Sequence, residues 1–235
     1  MFLLKQPNSD PRAILRDVPR FSLTHCVESR IMSETEPSSN PRSQPAAAPV
    51  FGAFDKNPEQ IDFWGLIAED WRTHDRDLLE QGFWAVAVHR FGNWRMSVKP
   101  RLFRIPFSIL YRFMYKFVEW TCGISLPYNV RLGRRVRIWH HSGIILSAES
   151  IGDDVQIRQN TTIGVLRTEH NFELPHIEEG VDIGAHVCIL GRITIGKRAV
   201  IGAGSVVLSD IPAGCLAVGV PAKVIKRTDA EEAAE

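Results

Sequence analysis

The stretch Ile183–Val207, IGAHVCILGRITIGKRAVIGAGSVV, decides the fold because an aliphatic residue recurs at every sixth position. Glycine follows several of these aliphatic residues, and valine or alanine often stands four positions after them, as in Ile195-Gly-Lys-Arg-Ala199. An amphipathic helix requires apolar spacings of three and four, and a two-sheet sandwich requires strict alternation between hairpin turns. A sustained period of six therefore predicts a solenoid of short strands.

The six-residue period extends upstream of this stretch and covers most of the C-terminal half of the chain. With three flat faces per turn, every sixth side chain points to one axis, where the aliphatic residues of successive coils stack into a core. Glycine and other small residues let the chain turn at each corner. The alternative, an ordinary all-β domain with coincidental spacing, is disfavoured by a repeat sustained over so many units. The predicted core ladder is Leu126, Leu132, Ile138, Ile144, Ile151, Ile157, Ile163, Ile177, Ile183, Ile189, Ile195, Ile201 and Val207.

One connection between repeats is too long for the pattern. Ile177 stands fourteen positions after Ile163 where the period requires twelve, and residues 165–175 lack the repeat. A loop is expected to leave the coil here, and loops that project from a rigid solenoid often carry binding or catalytic groups. His170 and His176, in or beside this loop, are therefore candidate functional residues, although a solvated loop histidine is the simpler interpretation of each.

Residues 1–57 differ in composition from the rest of the chain. They are rich in Ser, Pro, Asn, Arg and Ala without a helical or strand period, which predicts a disordered tail. Polar and charged residues follow Met1 too soon for a signal peptide. Met32 is followed by Ser-Glu-Thr-Glu, which suggests the hypothesis of a shorter native product that begins there.

Residues 58–123 carry apolar residues at spacings of three and four, which predicts a small domain of three helices. The third segment, residues 102–122, is about long enough to cross a membrane, but a proline and four charged residues interrupt it. We therefore expect a buried or subunit-contact helix and no membrane partner. The alternative is an interfacial helix whose basic side chains snorkel to the polar region. The interrupting residues are Arg104, Pro106, Arg112, Lys116 and Glu119.

Charge and cysteine content exclude several classes of function. Lys plus Arg number 28 and Asp plus Glu number 27, so no net field attracts nucleic acid, and we expect none as a partner. The four cysteines, Cys26, Cys122, Cys188 and Cys215, form no C-x-x-C pair, which argues against a zinc site and a disulfide framework. No metal site is expected, and a reducing cytoplasm is the simplest location.

The repeats resemble those of the hexapeptide-repeat acyltransferase superfamily, whose fold is a left-handed parallel β-helix. Besides the repeats themselves, Ile201-Gly-Ala-Gly-Ser-Val-Val-Leu208 and Val218-Gly-Val-Pro-Ala-Lys-Val-Ile225 carry the resemblance. Within that superfamily, Gly82–Trp94 and Ile138-Trp-His-His-Ser-Gly-Ile-Ile145 resemble serine O-acetyltransferase, which also places a helical domain before its β-helix. The resemblance covers about residues 60–227.

The predicted architecture is therefore mainly β. It has a disordered tail at residues 1–57, a small helical domain at 58–123, a left-handed parallel β-helix at 124–227 and a short tail at 228–235. The resemblance implies an assembly as well, because family members form trimers with active sites between neighbouring β-helices. A homotrimer, or a dimer of trimers paired through the helical domain, is expected.

The resemblance also implies a catalytic base. In serine acetyltransferases a histidine in an Asp-His-x-x-Gly segment is the general base, and this pattern falls on residues 139–143, with His140 in the place of the base. The base would remove the proton of an acceptor hydroxyl as its oxygen attacks the thioester of acetyl-CoA. His141 is the second candidate, because adjacent strand residues point to opposite faces and only one of the pair is expected to reach the acceptor. The alternative is that both histidines are polar corner residues.

Two acidic positions of the serine acetyltransferases are missing. The aspartate before the base, which helps to bind the serine amino group, is Trp139 here, and the upstream acid that orients the base falls at about Ser125. A cationic amine requires a carboxylate partner in a desolvated site, so serine itself is in question as the acceptor. Asp75 and Asp77 of the helical domain are candidates for an acidic contact.

The coenzyme positions follow the family pattern more closely. The resemblance places the pantetheine of the co-substrate acetyl-CoA along backbone groups near Ala185 and Ala203, with its phosphates near Lys223 and Lys226. Backbone N–H and C=O groups suit the pantetheine amides, and lysine cations suit phosphate. Taken without the resemblance, the two lysines are only part of a basic cluster after a β-helix.

These features predict an acetyl-CoA-dependent O-acetyltransferase. It would transfer the acetyl group directly to a small-molecule acceptor, without a covalent enzyme intermediate. L-Serine, acetylated in cysteine biosynthesis, is the first expectation. Acetylation of a sugar hydroxyl in polysaccharide biosynthesis is the alternative, because the indole of Trp139 can stack on a pyranose ring. A non-catalytic β-helix scaffold is the third hypothesis.

Overall fold

A computed structural model of the protein describes residues 55–167, 169 and 172–226, except for the side chain of Lys226. The predicted tails lie outside the described residues, apart from Asp55–Asn57. The hypothetical start at Met32 and the candidate His170 lie outside them as well. The described part of the chain forms three α-helices followed by short β-strands.

The three helices form in the segments where the sequence predicts them. They are α1 Phe63–Thr73, α2 Gln81–Trp94 and α3 Arg101–Cys122. Asp62 caps α1, because its side chain accepts a hydrogen bond of 3.2 Å from the Gly65 N–H. Gly123, in the left-handed conformation with a φ of 64°, ends α3. A buried ion pair of 3.0 Å between Asp70 of α1 and Arg90 of α2 joins the first two helices.

The strands pair in parallel into three sheets, one for each face of a triangular coil. They are β1 Ile124–Ser125, β2 Arg131–Leu132, β3 Arg137–Ile138, β4 Ile144–Leu146, β5 Ser150–Ile151, β6 Gln156–Ile157, β7 Thr162–Gly164, β8 His176–Ile177, β9 Asp182–Ile183, β10 Cys188–Leu190, β11 Thr194–Ile195, β12 Val200–Ile201, β13 Val206–Val207, β14 Cys215–Gly219 and β15 Ala222–Lys226. The first sheet has the order β1-β4-β7-β10-β13 and the second β2-β5-β8-β11. The third has the order β3-β6-β9-β12-β14, and β15 joins β14 antiparallel. Successive strands therefore lie on successive faces, as a parallel β-helix requires.

The predicted aliphatic residues form the core of this β-helix, with one difference in register. Leu146, and not the predicted Ile144, pairs with Ile163 in the first sheet, while Ile144 pairs with Ile124. All thirteen ladder residues are at most 3% exposed. In the second sheet the paired ladder residues are Leu132, Ile151, Ile177 and Ile195. In the third sheet they are Ile138, Ile157, Ile183 and Ile201. Burying one aliphatic side chain contributes about 1.5–3 kcal/mol, so the ladder is the main source of stability in this half of the protein.

The helices pack against the first coil through backbone contacts. Arg90 donates hydrogen bonds to the carbonyl oxygens of Leu132, at 2.8 Å, and Gly133, at 2.5 Å. Gly82 of α2 lies so close to β3 that a Cβ there would be 2.3 Å from the carbonyl oxygen of Ile138. Glycine at position 82 therefore sets the distance between α2 and the strand that leads to the histidine pair.

Only one side of α3 packs against the rest of the protomer. Its buried residues are Tyr111, Val118 and Cys122, while most of the other apolar side chains on the helix are exposed. The helix is therefore not buried within the protomer, which leaves a subunit contact or an interfacial helix as its interpretation. Pro106 lies within the helix and does not interrupt it. Within the described residues, no helix combines the length and the apolar character needed to cross a bilayer.

An enlarged corner separates β3 from β4. Ile138 pairs with Ile157 and Leu146 pairs with Ile163, yet the chain from Ile138 to Leu146 is two residues longer than the equivalent chain one coil later. The additional residues project from the coil in the corner Trp139–Gly143. The ladder keeps its pairing because the extra length is accommodated outside the strands.

Main-chain hydrogen bonds hold this corner on two sides. The Ser142 N–H donates to the carbonyl of Cys122, at the end of α3, at 2.9 Å, and the Asn160 N–H donates to the Ser142 carbonyl at 3.1 Å. Gly143 has a φ of 67°, and a Cβ there would lie 2.2 Å from Oδ1 of Asn160. The corner is thus fixed between the helix end and the next coil, and the close approach requires glycine at position 143.

We expect Gly143→Ala to destabilise the protein more than Gly204→Ala. The two glycines have φ values of 67° and 72°, so a left-handed alanine costs about 1–2 kcal/mol at either position. Only position 143 adds a collision with Asn160, since a Cβ at Gly204 meets no atom within 4 Å. Urea unfolding of both variants measures the difference. Adding Asn160→Ala to Gly143→Ala should restore part of the loss, whereas equal unfolding free energies for the two single variants would contradict the close approach.

The buried His89 is expected to make the protein less stable in acid. Its side chain is 0% exposed, and Nε2 donates a hydrogen bond of 3.0 Å to the Val130 carbonyl. Burial, assisted by the neighbouring Arg90 cation, lowers the His89 pKa to about 3. The unfolded chain binds this proton near pH 6.5 and the folded chain does not. Stability therefore falls as the pH decreases from about 6.5 toward 3, by at most about 1.4 kcal/mol per pH unit.

Urea unfolding of the wild type and of His89→Gln at about pH 7.5 and about pH 5 measures this dependence. Glutamine retains a side-chain N–H for the Val130 carbonyl and has no titratable proton. The variant is therefore expected to lose less stability between the two pH values than the wild type. A loss of equal size in both proteins would assign the acid sensitivity to other groups, such as His74, whose pKa is also lowered by burial.

Candidate active site

One edge of the triangular β-helix carries four of the predicted functional residues, His140, His141, Ala185 and Ala203. The corner that carries His140 and His141 follows β3, and the equivalent corners of the next coils follow β6, β9 and β12. Ala185 follows β9 and Ala203 follows β12, so both lie on this same edge. Adjacent parallel strands are about 4.8 Å apart, which places the Ala203 corner roughly 14 Å from the histidines along the axis.

Each turn of this edge places one residue in the left-handed conformation. These residues are Ser142, Asn160, His186 and Gly204, with φ values of 85°, 57°, 60° and 72°. These four residues, one from each turn, form a left-handed column along the edge. His140, with a φ of 60°, is a further left-handed residue outside this column. A left-handed non-glycine residue is uncommon and is often found at functional sites. The backbone geometry therefore singles out His140 among the residues of the corner.

His140 and His141 lie in the corner and not in a strand. The expectation that only one of the pair reaches an acceptor assumed that both histidines belong to a strand, where side chains alternate between faces. This assumption is wrong, because neither histidine lies in a strand. Both side chains are exposed in the protomer. The two imidazoles are therefore open to solvent in a single protomer. A cleft that excludes water from them requires a surface from another protomer or from a bound ligand.

Trp139 is held by a chain of polar contacts. Its Nε1–H donates to Oε1 of Gln156 at 2.7 Å, and the guanidinium carbon of Arg137 lies 3.6 Å from the centre of the indole. Asp75, from the loop after α1, forms an ion pair with Arg137. Hydrogen bonding from the Arg137 guanidinium holds the pKa of Asp75 below its usual range. The Asp75 carboxylate near this corner is therefore already paired with a cation.

The other two positions considered for an acidic contact have local roles. Ser125 Oγ and Tyr115 Oη share a hydrogen bond of 2.8 Å between β1 and α3. Asp77 Oδ1 accepts a hydrogen bond of 2.8 Å from the Leu79 N–H in the loop between α1 and α2. Both side chains thus stabilise the structure around the first coil.

The far end of the edge is open. A Cβ on Gly204 would meet no atom within 4 Å, and the neighbouring Ala203 is exposed. Ala185 is half-buried, and its carbonyl accepts a hydrogen bond of 2.8 Å from the Gly204 N–H. By contrast, a Cβ on Gly184 would lie 2.6 Å from the Ala203 nitrogen, so the interior side of these corners is closed. The open strip of backbone can accommodate an extended ligand with amide groups.

The hairpin of β14 and β15 closes the β-helix beside this edge. The Gly219 N–H donates to Ser205 Oγ, in the corner after β12, at 3.2 Å. Lys223 is exposed and lies near the turn of the hairpin, whereas the backbone of Lys226 pairs with Cys215 at the other end. About 10 Å of strand separates the two lysines. The structure therefore brings Lys223 nearer to the edge than the backbone of Lys226.

His176 lies on a different face of the β-helix. It belongs to β8 in the second sheet, where its Nδ1 shares a hydrogen bond with Ser150 Oγ. Together with Lys56 and Arg131, these two residues line a groove of about 310 Å³. Within one protomer, His176 is therefore not brought to the corner that carries His140.

Sequence reasoning missed Asn160 and His186, which occupy the edge between the histidine corner and the coenzyme positions. Both are exposed, and Nδ2 of Asn160 donates to Nε2 of His186 at 3.3 Å. They stand one and two coils after Ser142 in the same left-handed column. Following the repeat register from Ser142 along the sequence would have identified both.

Comparison with known proteins finds acetyltransferases by sequence and by structure. No family model matches the chain. The chain is 34% identical over 189 residues to the serine acetyltransferase of Escherichia coli (strain K12), covering 77% of this chain and 67% of that protein. It is 39% identical over 139 residues to the putative colanic acid biosynthesis acetyltransferase WcaB of the same strain, covering 58% of this chain and 83% of that protein. Soybean serine acetyltransferase complexed with serine superposes with a TM-score of 0.59 and 31% identity over 69% of each chain.

These similarities confirm the predicted fold class, a mainly-β parallel β-helix that follows a small helical region. They extend through the β-helix and into the helices, because the aligned residues cover 77% of the chain. The chain spans about two thirds of the length of the E. coli serine acetyltransferase. With 34% identity over that span, the chain belongs to the serine acetyltransferase family of hexapeptide-repeat acyltransferases.

Proposed function

We propose that the protein is an acetyl-CoA-dependent O-acetyltransferase that acetylates the hydroxyl of L-serine, with His140 as general base. The observation that carries this proposal is the single edge that holds the histidine corner together with Ala185 and Ala203. The similarity to the E. coli serine acetyltransferase favours serine as the acceptor. A related soybean enzyme, itself complexed with serine, supports the same choice.

The proposed reaction combines one proton transfer with one acyl transfer. An alcohol is a weak nucleophile near neutral pH, so the imidazole of His140 removes the hydroxyl proton as the oxygen bonds to the thioester carbonyl carbon. The carbon–sulfur bond then breaks, and the departing CoA thiolate accepts this proton from the imidazolium of His140. His140 returns to its neutral form, and no covalent enzyme intermediate is formed.

The corner is suited to this role because its backbone is fixed. A general base acts only when it is held within hydrogen-bond reach of the proton it removes. The hydrogen bonds of Ser142 to the end of α3 and to the next coil restrain the residues beside His140. His141, which shares the corner, stays the second candidate for the base.

Acetyl-CoA is proposed to lie along the same edge. Its pantetheine amides match the backbone groups of the Ala185 and Ala203 corners, and the open space beside Gly204 leaves room for the arm. Lys223 and Lys226, on the closing hairpin, would contribute cations toward the phosphates. The thioester end would then point toward the histidine corner.

A homotrimer, or a dimer of two trimers, is proposed as the active assembly. A general base works best in a partly desolvated cleft, and His140 and His141 are exposed in the single protomer. A neighbouring β-helix would supply the missing wall.

Cys122, Cys188 and Cys215 are free, which fits the proposed location in a reducing cytoplasm.

A sugar hydroxyl is the second candidate acceptor. The putative colanic acid biosynthesis acetyltransferase shares 39% identity with this chain, and the alignment covers 83% of its length. Trp139 stands where the serine enzymes carry an aspartate, and the nearby Asp75 is already paired with Arg137. An indole can stack on a pyranose ring and offers no charge to an ammonium group.

We expect His140→Ala to lower kcat by about 10²–10⁴-fold, because the general base is lost. The side chain is exposed, so folding should be preserved, and thermal unfolding checks this. CoA release, followed with a thiol reagent, measures turnover. His141→Ala is the matched control, with an expected change of less than about tenfold. If His141→Ala loses turnover and His140→Ala keeps it, the role of base belongs to His141.

Purified protein is expected to release CoA from acetyl-CoA with L-serine as the acceptor, and a parallel series with sugar nucleotides tests the second candidate. Trp139→Ala separates the two, because a lost aromatic stack should lower kcat/KM for a sugar about 2- to 13-fold while serine turnover stays within about twofold. Trp139→Phe, which retains an aromatic face, is the control. Absence of CoA release with serine would refute serine as the acceptor.

A further inference from the structure

The outward side of α3 carries a continuous apolar face. Eight large apolar side chains on this helix are each at least 49% exposed, and Trp120 reaches 81%. The apolar stripe of a surface helix normally faces the core, yet here a second stripe faces away from it. Exposed apolar patches of this extent mark interaction sites. The α3 face consists of Leu102, Phe103, Ile105, Ile109, Leu110, Phe113, Phe117 and Trp120.

Helical geometry shows that this face is opposite to the packed side. At about 100° per residue, Leu102, Ile109, Phe113 and Trp120 project within roughly 40° of one another. Val118, which is 6% exposed, projects about 160° away from Trp120. The exposure is therefore built into the sequence of the helix and does not come from frayed ends.

Basic residues border the α3 face. Arg101, Arg112 and Lys116 are exposed along one side of it. The helix holds one further basic residue, Arg104, against a single acidic residue, Glu119, which forms an ion pair with Lys116. An apolar strip edged by cations is complementary to a surface with an apolar interior and anionic head groups.

The apolar surface continues beyond α3. A groove of about 420 Å³ between the three helices is lined by aromatic and aliphatic side chains that include Trp64, Trp84 and Leu110. Trp64 is 76% exposed. Tryptophan is enriched where membrane proteins meet the boundary between head groups and acyl chains.

A second copy that paired its own α3 face with this one would match the surface less well, so the proposed assembly is expected to use other surfaces of the protomer. A contact between two α3 faces would gather the basic residues of both helices, with only Glu119 of each to balance them. Such an arrangement places like charges around an apolar contact, which opposes association. Anionic phospholipids would instead neutralise the basic border.

We propose that α3 is an interfacial helix that docks the protein on the surface of a bilayer containing anionic phospholipids. The α3 face would enter the boundary between head groups and acyl chains to a depth of about 5–10 Å. Arg101, Arg112 and Lys116 would extend to the lipid phosphates while their alkyl chains cover apolar surface. This inference replaces the expectation of no membrane partner, and it does not depend on the proposed reaction.

Flotation of the full-length protein with phospholipid vesicles tests the proposal. Vesicles of phosphatidylcholine with about 30% phosphatidylglycerol should bind the protein, and high salt or pure phosphatidylcholine should weaken binding at least about tenfold. Phe113→Ser with Trp120→Ser should abolish flotation. Arg112→Gln with Lys116→Gln should weaken partitioning to the anionic vesicles about 30-fold.

Leu79→Ser is the matched control, because Leu79 is an 83% exposed apolar residue in the loop between α1 and α2 and is not part of the α3 face. It should float like the wild type. CoA release without vesicles should be unchanged in all these variants, so a failure of the proposed reaction is distinguishable from a failure of docking. Wild-type protein that stays unbound overturns the proposal. A smaller oligomer of the Phe113→Ser, Trp120→Ser variant in light scattering also overturns it, in favour of a second copy on the α3 face.

Discussion

The stacking of inward aliphatic side chains, each directly above its counterpart in the previous coil, is the constraint on which this protein depends. The residues that share a ladder position are also directly paired across neighbouring parallel strands, as Ile157 and Ile183 are in the third sheet. A shift of one residue within a strand would turn its aliphatic side chain outward and disturb the pairing of two sheets. Extra residues are therefore found at corners and in the connection between β7 and β8, where no ladder position is displaced.

The helical segment completes the first coil. A solenoid exposes unpaired backbone groups and apolar surface at its ends, which must be covered. Arg90 donates to the carbonyls of Leu132 and Gly133, and its charge is compensated by the buried Asp70. A buried ion pair is stabilising only when the polar atoms that do not take part in the pair are also hydrogen-bonded. The two carbonyls accept hydrogen bonds from further N–H groups of the Arg90 guanidinium in this way. The same segment continues into α3, whose last carbonyl, that of Cys122, accepts a hydrogen bond from Ser142 in the histidine corner.

The sequence predicts most of the fold because the repeat is long and each unit is simple. The three helices follow from periodicity alone, and so does the ladder from Leu126 to Val207 except at the enlarged corner, after which Leu146 and not Ile144 holds the ladder position. The directions of His140 and His141 could not be predicted, since they depend on the φ values of a corner and not on strand alternation. The pairing of Asp75 with Arg137 joins residues distant in sequence. Periodicity also shows that α3 has apolar residues on two sides, but not which side the β-helix covers.

The corner between β3 and β4 shows how this architecture separates stability from chemistry. It accommodates two additional residues and a left-handed histidine, yet the pairs Ile138–Ile157 and Leu146–Ile163 on either side remain intact. Mutations that lengthen or reshape such a corner leave the hydrophobic core unchanged. A lineage built on this scaffold is therefore free to acquire new acceptor specificities by small insertions at one edge, without a compensating redesign of its interior.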